Sequence, residues 1–134
     1  MPERKIISSD DAPKAIGPYS PAVQTGDLLF TSGQLGMDPA TGDLAPGGIE
    51  AETRTALSHC ARLIEAAGGT MADVLKTTVY LRDMGDFARM NAVYAESFPQ
   101  NPPARTTVQV AALPKGAAVE IECIARIPPG GKPA

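Results

Sequence analysis

The chain has 134 residues, 12 of them basic and 15 acidic, for a formal net charge of −3. That length suits one domain, and cations scattered from Arg4 to Lys132 leave no basic stripe for nucleic acid. With no Trp, three Phe and three Tyr, the core must rest on Val, Ile, Leu, Ala and Met, and a small core of this kind gains from oligomerisation.

In chain order, residues 5–8 predict a short first strand. The preceding residues lack the apolar run of a signal peptide, and no segment approaches the ~20 apolar residues of a membrane span, so a cytoplasmic protein without membrane partners is expected. Pro13, Gly17 and Pro18 mark a loop. Residues 19–25 and 28–32 predict two strands, joined by a Gly26-Asp27 hairpin turn. Gly33 and Gly36 bracket Gln34-Leu35, and residues 38–48 form a turn-rich loop. Residues 49–67 carry Ala56, Leu57, Cys60, Ile64 and Ala67 at helical spacing, stopped by Gly68-Gly69. Thr70 with Asp73 suggests a capped short turn before a strand at Val74–Leu81. Residues 86–98 predict a second helix, with Asp86 as N-cap and a stripe of Phe87, Met90, Tyr94 and Phe98; Pro99, Pro102 and Pro103 end it. Two strands follow, at 105–110 and 119–127, and residues 128–134 read as a disordered tail. The pattern predicts an α+β domain over 1–127, with two helices on one face of a sheet.

Alternation in the last two strands singles out candidate functional residues. Arg105, Thr107 and Gln109 share one face of the first; Val119, Ile121, Cys123 and Ala125 form the apolar face of the second, with Glu120 and Glu122 opposite. The expectation is that one face of each strand belongs to the core, and that the opposite face carries both Arg105 and Glu120. Arg105 follows a stiff Pro102-Pro103-Ala104 entry, and its guanidinium can hold a carboxylate through two hydrogen bonds. The competing reading is an ion pair with Glu120 or Glu122, or simple exposure. Glu120 suits a general base acting on water, or an ordinary charge on a half-exposed strand. Tyr19, between Pro18 and Pro21, can present its hydroxyl to a ligand, and Ser32-Gly33 permits close backbone approach. Asn91 lies on the apolar side of the second helix, where its amide needs a partner.

His59, the one histidine, belongs to no nucleophile motif and reads as a surface or satisfied helix residue. Cys60 and Cys123 form no CxxC or Cys/His cluster and read as small buried residues. No GxGxxG, P-loop, HExxH or GxSxG motif is present, so neither cofactor nor metal is implied.

Five segments occur in the order seen in a known family. They are Ala15-Ile16-Gly17-Pro18-Tyr19-Ser20-Pro21-Ala22-Val23, Phe30-Thr31-Ser32-Gly33-Gln34, Lys76-Thr77-Thr78-Val79-Tyr80-Leu81, Pro103-Ala104-Arg105-Thr106-Thr107-Val108 and Val119-Glu120-Ile121-Glu122-Cys123-Ile124-Ala125. Together, from about Ile6 to Ile127, they resemble the RidA (YjgF) family of reactive-intermediate deaminases. The resemblance implies a chorismate-mutase-like fold and a homotrimer with sites in the clefts between subunits. It also implies hydrolysis of 2-aminoacrylate and related enamines or imines, such as 2-iminopropanoate, to 2-oxo acids and ammonia. The family's carboxylate-binding arginine matches Arg105 and its water-handling glutamate matches Glu120. Its pocket residues match Tyr19, Ser32, Gly33 and Asn91. Thr107 stands where many members carry Cys, which removes a reactive thiol from a position that acts largely through its backbone. Pro21 stands where Gln is common, at the pocket rim. Two other readings stay open: a non-catalytic binder of 2-oxo acids or similar carboxylates on the same fold, and an RNA-cleaving translation inhibitor.

Overall fold

Three antiparallel strands open the chain: β1 (Arg4–Ile7), β2 (Ala22–Thr25) and β3 (Leu28–Thr31). Thr25 pairs with Leu28 across the Gly26-Asp27 turn, and Gly26 takes the φ of 58° that this turn requires. β4 (Gln34–Leu35) follows almost at once. The computed structural model describes residues 3–129. Residues 130–134, most of the expected disordered tail, lie outside them.

α1 (Gly48–Ala66) seals Ala56, Leu57, Cys60, Leu63 and Ile64 against the sheet. Each fully buried Leu or Ile there contributes about 1.5–3 kcal/mol. Gly68, at φ 100°, turns the chain out of the helix. Thr70 donates its backbone N–H to the Asp73 carboxylate at 2.8 Å, as their spacing predicts. β5 (Val74–Leu81) then leads to α2 (Phe87–Ser97). Asp86 precedes α2, but its side chain caps nothing; it pairs with Arg89 instead. β6 (Ala104–Gln109) returns parallel to β5, and β7 (Val119–Arg126) closes the sheet.

The order across the sheet is β1-β2-β3-β7-β5-β6, with β4 also on β7. β7 is central: it pairs with β3 and β4 along one edge and β5 along the other. Its inward residues Val119, Ile121, Cys123 and Ala125 are buried in the core beneath the helices. The architecture is thus the expected α+β one, a mixed sheet with two helices. The strand expected at 19–25 begins only at Ala22, because Gly17 (φ 115°) and the two prolines hold residues 17–21 in a loop. No helix among the described residues is long and apolar enough to cross a membrane. Both cysteines are free and buried.

Candidate active site

The position of Arg105 follows from strand pairing. Arg105 stands opposite Thr77 on β5, and Thr77 stands opposite Cys123 on β7. Paired residues project to the same side of a sheet. Arg105 therefore shares the helix-covered face with the buried Thr77 and Cys123. The crossover through α2 places that helix over this corner. The Arg105 guanidinium carbon lies 4.7 Å from the Tyr94 ring centre and 5.5 Å from that of Phe87, a cation–π arrangement worth about 0.5–2 kcal/mol. The Tyr94 hydroxyl is fixed by a 2.7 Å hydrogen bond with Thr77 Oγ1. Among the described residues no carboxylate pairs with Arg105, so its hydrogen-bonding fork is free for an anion. Two further polar atoms, Asn91 Oδ1 and Thr107 Oγ1, are buried with no hydrogen-bond partner. Such atoms normally find partners, so their presence on α2 and on the Arg105 face of β6 points to a ligand.

Glu120 belongs to the other face. It pairs with Tyr80 on β5 and Leu35 on β4. Phe30 pairs with Ile124, yet Gln34 pairs with Ile121, so the edge formed by β3 and β4 holds one residue more than β7. This bulge falls at Ser32-Gly33 and aims it at Glu120. A Cβ on Gly33 would sit 1.9 Å from Glu120 Oε2, so the missing side chain is the space the carboxylate occupies. Ser32 donates its hydroxyl to the Ser20 carbonyl at 2.6 Å, tying the bulge to the Tyr19 loop. The Tyr19 ring is half exposed, and its hydroxyl accepts the Ile16 N–H at 3.2 Å. Tyr19, Ser32, Gly33 and Glu120 line one cavity of about 480 Å³, with Lys14 and Lys115 also in its wall. Burial, and secondarily the neighbouring Glu122, hold the Glu120 carboxyl above its ordinary value.

The seven sequence-predicted residues thus divide into two groups. Tyr19, Ser32, Gly33 and Glu120 converge; Arg105, Thr107 and Asn91 gather at the α2 corner. The expectation that Arg105 and Glu120 share the face opposite the core is wrong. β6 is an edge strand with polar residues on both faces, and only its register with Thr77 reveals that Arg105 faces the helix. The same geometry removes the competing ion pair with Glu120 or Glu122. Asn91 was expected to find a structural partner, and its Oδ1 has none. Phe87 and Tyr94 were legible only as a core stripe; their place under a free arginine needs the crossover. His59 is buried, with Nε2 donating to the Met37 carbonyl at 2.6 Å, which pins the loop after β4. Burial lowers its pKa. Among the described residues no three His, Cys, Asp or Glu side chains cluster as metal ligands.

Comparison with known proteins identifies the family. Residues 9–127 match the family described as Endoribonuclease L-PSP. A RutC family protein of Pyrococcus horikoshii is 49% identical over 122 residues, covering 91% of this chain and 97% of the relative. The 2-iminobutanoate/2-iminopropanoate deaminase of Bos taurus is 52% identical over 122 residues, covering 91% and 89%. The crystal structure of RidA from an Antarctic Psychrobacter superposes with a TM-score of 0.88 at 46% identity, over 92% of this chain and 99% of that one.

Proposed function

Because the chain belongs to the RidA family, whose common description is Endoribonuclease L-PSP, we propose that it hydrolyses enamines and imines of the 2-aminoacrylate and 2-iminopropanoate kind to 2-oxo acids and ammonia. The observation that carries this reading is the unpaired Arg105, cushioned on Tyr94 and Phe87 beside the unpartnered Asn91 and Thr107 oxygens. A relative 52% identical bears the name of this activity.

The chemistry needs a second half. Arg105 grips the substrate carboxylate and so fixes the adjacent C=N carbon, which supplies the entropic part of catalysis. Glu120 takes a proton from water as the water oxygen bonds to that carbon and the C=N electrons move to nitrogen. It returns that proton to the nitrogen, giving the carbinolamine, then carries the new hydroxyl's proton to the amine, so that the C–N bond breaks and ammonia leaves as the C=O forms; an enamine enters this step as its imine tautomer. General acid–base help of this kind is worth ~10²–10⁴-fold.

Within one chain the two residues stand on opposite faces of the sheet, so the reading includes assembly as a homotrimer, the Glu120 cavity of one subunit closing on the Arg105 corner of the next. In support, β6 is an edge strand, and Ile6, Phe30 and Val108 leave apolar surface exposed on the sheet.

Ammonia and 2-oxo acid release from oxidase-generated 2-iminobutanoate tests the proposal. Arg105→Ala should abolish release, and full activity in a soluble, folded Arg105→Ala protein would sink it. Glu120→Gln separates turnover from mere carboxylate binding: binding persists while release is lost. Against the RNA-cleaving reading stands the acidic balance of the chain, and metal-free assays on purified protein decide it.

A further inference from the structure

The cavity wall next to Glu120 contains two cations that the imine chemistry does not use. Lys14 comes from the loop before β2, and Lys115 from the turn before β7. Among the described residues neither pairs with a carboxylate. In a chain with a net charge of −3, two exposed, unpaired lysines lining one cavity beside the single carboxylate of Glu120 are a local reversal of sign.

Lys115 is held there against its backbone preference. It adopts φ 60°, ψ 13°, the left-handed region that Lys rarely enters. Three bonds brace the turn: Gly116 N–H to the Leu113 carbonyl at 3.1 Å, Ala117 N–H to Pro114 at 3.1 Å, and Arg82 Nη1 to the Gly116 carbonyl at 2.7 Å. A strained residue persists where its surroundings over-determine it, and such residues cluster at ligand sites. The cavity, at about 480 Å³ in one subunit, is of the size of ordinary small-molecule sites.

We propose that Lys115, assisted by Lys14, recognises a second anionic group on the substrate, so that the preferred class is the 2-imino dicarboxylates, such as the imines of aspartate and glutamate. This rests on the proposed deaminase reading: the first carboxylate goes to Arg105, the C=N carbon to Glu120, and the distal carboxylate to the lysines.

The test compares the dicarboxylate and monocarboxylate ligands directly. Imines generated by oxidation of aspartate and of 2-aminobutyrate give a kcat/KM ratio, and calorimetry with 2-oxoglutarate and 2-oxobutanoate gives a Kd ratio. In the wild type both ratios should favour the dicarboxylate, and the preference should shrink as salt is added. In Lys115→Gly, which removes the ammonium while suiting the positive φ, each ratio should fall about tenfold, and further with Lys14→Ala. The wild-type ratios stand as a test even if a variant fails to fold. Equal wild-type affinities, or ratios within twofold of wild type in the folded double variant, overturn the proposal. If no imine is hydrolysed while the Kd ratios behave as expected, the deaminase reading falls and the dicarboxylate site stands.

Discussion

Arg105 and Glu120 project from opposite faces of a single sheet: Arg105 toward α2 beside Thr77, Glu120 into the cavity beside Gly33. On the proposed homotrimer, a site that uses both draws them from different subunits. Arg105→Ala and Glu120→Gln, each inactive alone, should therefore complement when co-refolded. In an equimolar mixture about one site in four receives both intact residues, so roughly a quarter of wild-type ammonia release should return. No recovery, in particles shown by native mass spectrometry to be mixed trimers, would count against a shared site.

The pH profile should report Glu120. Burial first, and Glu122 second, raise its carboxyl above 4.5. A base must be ionised, so kcat/KM should climb with pH through that raised value, placing the acid limb above the usual glutamate range. Glu122→Gln removes the like charge and should move the limb to lower pH; an unmoved limb would show that Glu122 does not act on Glu120. Stability runs the other way. The fold favours the protonated carboxyl, so Glu120's contribution is full below the unfolded value and is lost as pH rises through the folded one. Urea midpoints of Glu120→Gln should accordingly depend less on pH across that window.

Gly33→Ala should leave a folded protein with impaired chemistry. The added methyl would meet the Glu120 carboxylate, the mobile end of a side chain, at 1.9 Å, so the carboxylate moves rather than the backbone. Displacement of a base by about an ångström can cost on the order of 10²-fold. We expect kcat to fall by at least tenfold with the melting midpoint nearly unchanged. A kcat at the wild-type level would mean that the carboxylate works equally well elsewhere.

Tyr94→Phe keeps a ring beneath Arg105 but strands Thr77 Oγ1 in the core. An unsatisfied buried hydroxyl costs about 1–3 kcal/mol, so urea unfolding should report a loss of that size with KM close to wild type. Tyr94→Leu also removes the aromatic face, and KM should then rise. Equal KM values in the two variants would show that the ring does not position the guanidinium.

The elements were largely legible because their periods are distinct. β5 coincides with the expected Val74–Leu81, and α1 is offset by one residue from the expected helix. The start of β2 was not legible, since Tyr19 and Ser20 suit a strand until Gly17 and Pro21 commit them to a loop. The candidate residues themselves were visible in the sequence, but their division was not. Alternation sorts Arg105 from Thr106 without saying which of them faces a helix, and an edge strand with polar residues on both faces gives no hydrophobic clue. Ser32-Gly33 read as a place where backbone could approach a ligand closely; what the structure places against Gly33 is the chain's own Glu120 carboxylate. Lys14 and Lys115 carried no signal at all, being single lysines in loops far apart along the chain.

The central place of β7 governs how the molecule is born. β3, β4 and β5 all lean on this strand, yet each leaves the ribosome before it. Until residue 119 is made, their ladders lack the strand that joins them, and the apolar stripe of α1 lacks Val119, Ile121 and Cys123 as cover. Folding therefore waits on distant partners and proceeds slowly for a chain of this size. Over that interval the nascent chain keeps apolar surface uncovered, and the interval's length is set by how fast the ribosome travels from Ala66 to Val119.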